Sequence, residues 1–243
     1  MDESVHSYVE PMKSPEPEHI IDTRDRLIVA AIKTFTAKNF EGASIREIAK
    51  KADANSALIQ YYFGGKEGLY LEAVKFVFKI GSDQFDQLPP SPNPASPDAR
   101  AEALHGLKGF IRLMVRLTCT CPAELKALYG SEFEQAAFAL WNQAIQTMRP
   151  SVIGFVREMV TPLTQYLAGC IRILCPDLTE EESFRMQLST LGQLTHIQTH
   201  MALVILHRGA VYNETEMESL SDHFIQFTLR GLGISEAFPA QGA

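Results

Sequence analysis

The sequence predicts an all-α protein, and three observations support that prediction. Apolar residues recur at helical spacing from the first regular segment onwards, beginning with Leu27, Ala31 and Phe35. The alternation of apolar and polar residues that is typical of strands is absent from the sequence. Five prolines within LPPSPNPASP, residues 88–97, separate a shorter N-terminal group of helices from a longer C-terminal group, because proline interrupts helices.

Four helices are predicted before the prolines. The first spans residues 22–39 and ends at Asn39, a residue type that tolerates left-handed backbone. The second begins at Ser44, which together with Glu47 has the spacing of a capping box. The third begins after Asn55 and buries Ile59 and Phe63 before Gly64-Gly65. The fourth begins near Lys66.

Five longer amphipathic stretches are predicted after the prolines, at 99–118, 123–148, 151–174, 179–207 and 215–231. Pro162 lies within the third of these and predicts either a kink or a first-turn proline. From these patterns we expect a disordered tail over 1–20, a small helical domain over 21–66, a connecting helix over 67–87, a linker over 88–97 and a larger helical domain over 98–243.

The composition is that of a globular protein, with 46% hydrophobic and 21% charged residues. The apolar run MALVIL is far shorter than the roughly 18–20 residues that cross a bilayer. The first residues are acidic and contain prolines, without the basic and apolar regions of a signal peptide. We therefore expect no membrane partner and a cytoplasmic location.

Charge is unevenly distributed along the chain. The net charge is −7, yet residues 22–70 carry eight basic against six acidic side chains. The one segment with a positive balance is therefore the segment that contains the stretch NSALIQYYFGGKEG, residues 55–68. This excess permits nucleic-acid binding, although it is too small to demonstrate it.

The stretch NSALIQYYFGGKEG, residues 55–68, has the composition of a recognition helix. A short helix after a tight turn is typical of a helix-turn-helix, whose second helix lies in the major groove of DNA. Ile59 and Phe63 would dock this helix against the domain. The outward side chains are then predicted to contact DNA, with Ser56, Ala57, Gln60 and Tyr61 at the bases and Tyr62 and Lys66 at phosphates.

The run from Arg24 to Leu71 resembles the DNA-binding domain of the TetR family of bacterial repressors. The matching segments are RDRLIVAAIKTF, ASIREIAKKA and NSALIQYYFGGKEGLY. The resemblance implies that Ser44 and Arg46 on the second helix also contact the DNA. The sequence departs from the family pattern at Asn39, at Asp53 in the turn and at Leu58 in the third helix.

The C-terminal half is similar to the CecR (YbiH-like) subgroup of the same family, through RPSVIGFVREMVTPLTQYLAGCIRIL and EMESLSDHFIQFTLRGLGI. The resemblance implies that this half binds an effector, expected to be a small apolar or aromatic molecule. It also implies a homodimer that forms through the last two long helices, about 179–207 and 215–231.

Six residues are predicted to line the effector pocket, although aromatic residues at helical spacing also suit an ordinary core. They are Phe110, Met114, Trp141, Phe155, His196 and His200. With His207, the last two fall within about 40° on one helix face. His196 and His200 have metal-ligand spacing, but HIQTH contains no glutamate and no third ligand is identifiable. A helix interface or pocket wall is the simpler interpretation, and we expect no metal and no cofactor.

The sequence thus predicts a homodimeric repressor that a small-molecule effector releases from a palindromic DNA operator. A transcriptional activator of the same family would use the same DNA contacts. A metal-dependent helical enzyme that uses the histidine face is the alternative from another class of protein. It lacks a nucleophile–base pair, and we expect no catalytic residues.

Overall fold

The computed structural model describes residues 22–82, 84–119, 129–199, 201–209 and 212–235. Within these ranges it contains helices only, and the all-α prediction is confirmed. The helices are α1 Thr23–Gly42, α2 Ile45–Lys51, α3 Ala57–Phe63, α4 Lys66–Ser82, a 3-10 turn Phe85–Gln87, α5 Ala99–Cys119, α6 Ser131–Thr147, α7 Pro150–Leu174, α8 Glu180–Thr199, α9 Met201–Arg208 and α10 Glu214–Gly231. No helix in the described part of the chain is both long and apolar enough to cross a membrane.

The first helix changes direction where the sequence predicts. Asn39 has φ 57°, so the regular part of α1 ends there although the helical segment continues to Gly42. Phe35 and Phe40, on either side of this point, both pack edge-on against Tyr70 of α4, with ring centroids 5.0 and 5.2 Å away. The aromatic contacts therefore fix the end of α1 against α4.

Gly130 interrupts the helix that the sequence predicts over 123–148. Its φ of 84° is left-handed, and α6 begins only at Ser131. Glycine adopts this conformation without a steric penalty, and it cannot continue a right-handed helix there. The prediction of one continuous helix is therefore wrong at this residue, while residues 120–128 lie outside the described part of the chain.

Helix α7 is a single helix of 25 residues. It begins with Pro150, which suits the first helical position because no hydrogen-bond donor is needed there. Pro162 lies in the interior, not in the first turn as one of the two predicted placements had it. Because its nitrogen carries no hydrogen, the carbonyl of Glu158 loses its donor four residues further along.

The buried apolar residues form two clusters. The first joins α1–α4 to α6 and the start of α7, and it includes Phe35, Ile59 and Phe133. The second joins α5, the second half of α7, α8 and α10, and it includes Phe110 and Ile171. The first cluster thus extends from the predicted 21–66 domain into helices of the predicted 98–243 domain.

The proline-rich segment 88–97 lies between these helices without regular structure. The hydroxyl of Tyr166 on α7 donates a 2.9 Å hydrogen bond to the carbonyl of Pro89. A Cβ added at Gly109 of α5 would come within 2.6 Å of the Pro89 ring, so the segment passes very close to α5. The segment is therefore held by contacts on both sides.

Candidate nucleic-acid interface

Helices α2 and α3 are connected by a tight turn. Ala52 N–H donates to the carbonyl of Ile48 at 3.0 Å, and Ala54 N–H donates to that of Ala49 at 2.9 Å. Asp53 adopts φ 49°, a left-handed conformation that aspartate tolerates better than most residues. Helix α3 then begins where the side chain of Asn55 accepts a 2.8 Å hydrogen bond from Ala57 N–H.

Helix α3 has one buried face and one exposed face. Ile59 is fully buried and Phe63 nearly so, and both belong to the first cluster. Tyr61 is 79% exposed, and its ring meets that of Tyr62 edge-on at 5.0 Å. Gly64 (φ 69°) ends the helix with its N–H on the carbonyl of Gln60 at 3.0 Å. The helix therefore presents an aromatic and amide edge to solvent.

The residues predicted to contact DNA are accessible in the structure. Ser44, Arg46, Ala57, Gln60, Tyr61 and Tyr62 are exposed, whereas Ser56 and Lys66 are half-buried. Those at 44 and 46 lie at the start of α2, those at 56–62 lie on α3 or directly before it, and Lys66 begins α4. Their individual roles at DNA stay predictions.

The capping box predicted at Ser44 does not form. Ser44 precedes α2 but accepts no side-chain capping hydrogen bond. Glu47 instead lies 2.8 Å from Lys38 and 3.2 Å from Lys51. Hydrogen bonds from these two lysines hold the pKa of Glu47 below its ordinary value. The lysines therefore compete for the carboxylate, and the Ser44 hydroxyl is left available to another acceptor or donor.

Arg149, directly before α7, connects α7 to the N-terminal helices. Its guanidinium lies 2.9 Å from Glu41 at the end of α1 and 2.9 Å from Glu67 at the start of α4. It also lies 3.7 Å from the centroid of the Phe40 ring, and Lys66 Nζ lies 4.5 Å from the same centroid. We call these five residues the Arg149 cluster. It joins the predicted phosphate contact Lys66 to α7.

A cavity of about 600 Å³ lies between the end of α4, the proline-rich segment and the middle of α7. Its walls include Phe78, Phe85, Leu88, Met159, Pro162 and Leu163. The four predicted effector residues whose side chains the structure describes, Phe110, Met114, Trp141 and Phe155, are not among its lining residues. Three of them pack directly behind it: Trp141 and Phe155 contact Phe78, with centroids 5.2 and 5.5 Å away, and Phe110 stacks on Tyr166 at 6.2 Å.

Of the other residues predicted for the pocket or the histidine face, the structure describes some side chains and not others. Met114 is half-buried against the second cluster. The side chain of His196 and the whole of His200 lie outside the described residues. His207 is exposed on α9. Among described residues, no group of three or more His, Cys, Asp or Glu could hold a metal ion.

A buried helix face, a left-handed turn and an exposed recognition edge together define a helix-turn-helix protein. Residues 27–73 match the family model described as "Bacterial regulatory proteins, tetR family". This match runs from α1 into α4 and includes every predicted DNA contact. Residues 27–73 therefore form a DNA-binding domain of the TetR type.

Curated relatives match part of the chain. The probable HTH-type transcriptional regulator YttP of Bacillus subtilis is 53% identical over 49 residues, 20% of this chain and 24% of that protein. The HTH-type transcriptional repressor NicS of Pseudomonas putida is 38% identical over 56 residues, 23% and 26% of the two chains. The HTH-type transcriptional dual regulator CecR of Shigella flexneri is 32% identical over 100 residues, which are 38% of this chain and 44% of that protein. The matched stretches thus span less than half of each relative's length.

The similarity to CecR extends beyond the DNA-binding domain, because its 100 matched residues exceed the range 27–73. Solved structures share the whole fold. PfmR, a TetR-family regulator from Thermus thermophilus, has a TM-score of 0.57 at 17% identity, covering 90% of this chain and 100% of that one. A TetR-family regulator from Bordetella parapertussis gives 0.55 at 16% identity, covering 88% and 98%.

Proposed function

We propose that this protein is a dimeric transcriptional repressor that binds a palindromic operator and is released from it by a small molecule. The observation that carries the proposal is α3, docked by Ile59 and Phe63 with Gln60 and Tyr61 exposed on its free side. Such a helix fits a major groove, where base edges differ in their donors and acceptors. A cytoplasmic location follows, since bacterial DNA lies there.

The proposed DNA contacts divide into base and phosphate contacts. The Gln60 amide can both donate to and accept from an adenine edge, and the Tyr61 ring can contact a thymine methyl group. Ser56 and Ala57 are small enough to allow a close approach. Tyr62 and Lys66, at the end of α3 and the start of α4, would contact phosphates. Ser44 and Arg46 extend this surface along α2.

Two copies of the chain would pair through its last two long helical stretches, α8 with α9 and α10. Phe184 and Leu188, one helical turn apart on α8, are each 52% exposed, and Phe227 of α10 is 57% exposed. Both helices belong to the second cluster and pack against each other. Large apolar side chains that a monomer leaves in water are typical of an interface. A two-fold dimer would then read two half-sites about 34–36 Å apart, or a multiple of this.

Repression is favoured over activation because NicS is named a repressor, whereas CecR is named a dual regulator. The domain boundaries at residues 66, 87 and 97 remain part of the proposal. The start of α7 and α6 pack with the N-terminal helices, so release by an effector would act through that contact.

Selection of bound fragments from a random DNA library tests the proposal. We expect an enriched inverted repeat whose binding weakens steeply with salt, because phosphate contacts release counterions. Placing the selected sequence over a promoter and measuring transcription separates repression from activation. Failure to enrich any sequence would contradict the proposal, and enrichment of a single non-repeated site would contradict the dimer.

A further inference from the structure

The cavity between α4, the proline-rich segment and α7 combines apolar walls with an unusual set of polar groups. Aromatic and aliphatic side chains form most of it, among them Phe78, Phe85 and Leu163. Its volume of about 600 Å³ is typical of sites for small organic molecules, which occupy roughly 300–1,000 Å³. Shape and lining therefore suit a largely apolar molecule.

Among the described lining residues, Glu158 is the only one with a charged side chain. Glu158 is a lining residue, it is exposed, and no ion pair or hydrogen bond of its carboxylate occurs in the described part of the chain. None of the described lining residues is Lys, Arg or His. A carboxylate or phosphate ligand would therefore meet a negative charge and find no cation to balance it.

Two further polar groups at the cavity act as acceptors. Pro162 removes the helical donor from the carbonyl of Glu158, and both residues line the cavity. Tyr166 donates its hydroxyl proton to Pro89 at 2.9 Å, so its oxygen lone pairs are what it offers a ligand. Burial raises the pKa of Tyr166 to about 12, and the hydroxyl keeps its proton at neutral pH. Ser91 and Gln165 also line the cavity and can both donate and accept hydrogen bonds. The cavity therefore offers an ammonium group acceptors in addition to the Glu158 carboxylate.

We propose that this cavity binds an apolar or aromatic amine, with the ammonium group at Glu158 and the apolar body against Phe78, Phe85 and Leu163. This inference deepens the proposed function, and it rests on that function only for the consequence that the amine alters DNA binding. The binding of the amine to the purified protein is independent of DNA.

Gly169 allows the cavity to be filled without a clash. It lines the cavity on α7, and a Cβ placed there has no atom within 4 Å. Gly154 lies on the same helix, also has open space around a Cβ, and does not line the cavity. Gly169→Leu and Gly154→Leu therefore form a matched pair, in which both variants add the same side chain to α7.

Isothermal titration with three probes of one skeleton tests the proposal: 3,3-diphenylpropylamine, 3,3-diphenylpropanol and 3,3-diphenylpropanoate. For ligands of this size we expect a Kd on the order of 0.1 mM for the amine. The alcohol should bind more weakly and the carboxylate most weakly. Glu158→Gln should weaken amine binding about three- to fivefold, as expected for a solvent-exposed ion pair, and leave alcohol binding unchanged.

Gly169→Leu, which fills the cavity, should lower the affinity for all three probes at least tenfold. Gly154→Leu should leave these affinities unchanged. Ser91→Trp, which adds bulk from the opposite wall, gives the same test should Gly169→Leu fail to fold. The inference would be overturned if the carboxylate bound most tightly, or if Gly169→Leu and Gly154→Leu bound the amine with equal affinity. It would also be overturned if the wild-type protein bound no amine at millimolar concentration.

DNA binding measured on the same samples separates the two proposals. If the protein selects an operator but binds no amine, the cavity inference alone is wrong. If it binds the amine as described but selects no DNA sequence, the proposed function alone is wrong.

Discussion

At the residue scale, Gln60 and Lys66 are expected to contribute in different ways to DNA binding. Gln60→Ala should relax the base preference at one position of each half-site, at a cost of about 1–3 kcal/mol, since one paired hydrogen bond to a base is lost. The measurement compares binding to the selected operator with binding to operators mutated one position at a time. A uniform loss on every sequence would contradict a base contact.

Lys66→Ala should weaken binding to all DNA sequences alike and reduce the salt slope by about one, because one phosphate contact is removed. Titrations at several salt concentrations measure this slope. Lys75 on the same helix, paired with Glu72 at 3.0 Å, provides the control. Lys75→Ala should leave the slope unchanged.

Substitutions at Ile59 and Tyr61 should distinguish the residue that docks α3 against the domain from a residue that contacts DNA. Ile59→Ala should lower the free energy of unfolding by about 2–5 kcal/mol, because a fully buried side chain leaves a cavity. Tyr61→Ala should change it by less than about 0.5 kcal/mol, since the ring is largely in water, yet it should weaken operator binding. Urea unfolding and DNA titration measure the two effects. Equal loss of stability in both variants would contradict the orientation of α3.

At the element scale, the Arg149 cluster joins α7 to α1 and α4. Arg149→Ala should lower the free energy of unfolding by roughly 1–3 kcal/mol, from two partly exposed ion pairs and one cation–π contact. Arg185→Ala removes an exposed ion pair with Glu181 within α8 and should cost about 0.5 kcal/mol or less. Urea unfolding of both variants tests this, and equal costs would show that the cluster adds nothing.

The same cluster should produce acid sensitivity. Burial opposes ionisation of Glu67, but hydrogen bonds from Ser151 and Arg149 outweigh it and hold the pKa of the carboxyl below its ordinary 4.5. A lowered folded-state pKa stabilises the fold above that ordinary value, and this contribution disappears as the pH falls through the folded-state pKa. Arg149→Ala should therefore flatten the dependence of unfolding free energy on pH below 4.5. Arg185→Ala should follow the wild-type curve.

At the scale of the whole molecule, the exposed residues of α8 and α10 predict the oligomeric state. Phe227→Asp should shift the protein from dimer to monomer, because a charge would be buried in an apolar interface. Ile145→Asp, on α6 where Ile145 is 40% exposed, should leave the dimer intact. Sedimentation measures both. The monomer should also lose about 10²–10⁴-fold in affinity for the inverted repeat, since the two half-sites no longer bind as one unit.

Local features of the structure were predictable from the sequence, and features that depend on distant contacts were not. The docking of Ile59 and Phe63 follows from helical spacing, and the left-handed Asn39 follows from its residue type. The Glu47 cap failed because Lys38, nine residues earlier, competes for the carboxylate. Gly130 has a signal in the sequence, since glycine favours turns, but the apolar pattern around it is helical.

The cavity and the Arg149 cluster could not be predicted from the sequence, because both depend on how distant segments pack. Phe78, Leu88 and Glu158 meet only because α4, the linker and α7 converge. Trp141 and Phe155, two residues of the effector prediction, contact Phe78 of the cavity wall. Arg149 shows no periodic pattern in the sequence that would connect it to Glu41 or Glu67.

The unbroken length of α7 has a mechanical consequence. Twenty-five residues at 1.5 Å each make a rod of about 37 Å. Pro162, where a backbone hydrogen bond is missing, stands at its midpoint. A tilt of about 3° around that pivot would swing the Arg149 end by about 1 Å, enough to stretch a 2.9 Å ion pair past hydrogen-bonding range. A slight movement at the middle of α7 would therefore break a contact beside the domain that carries α3.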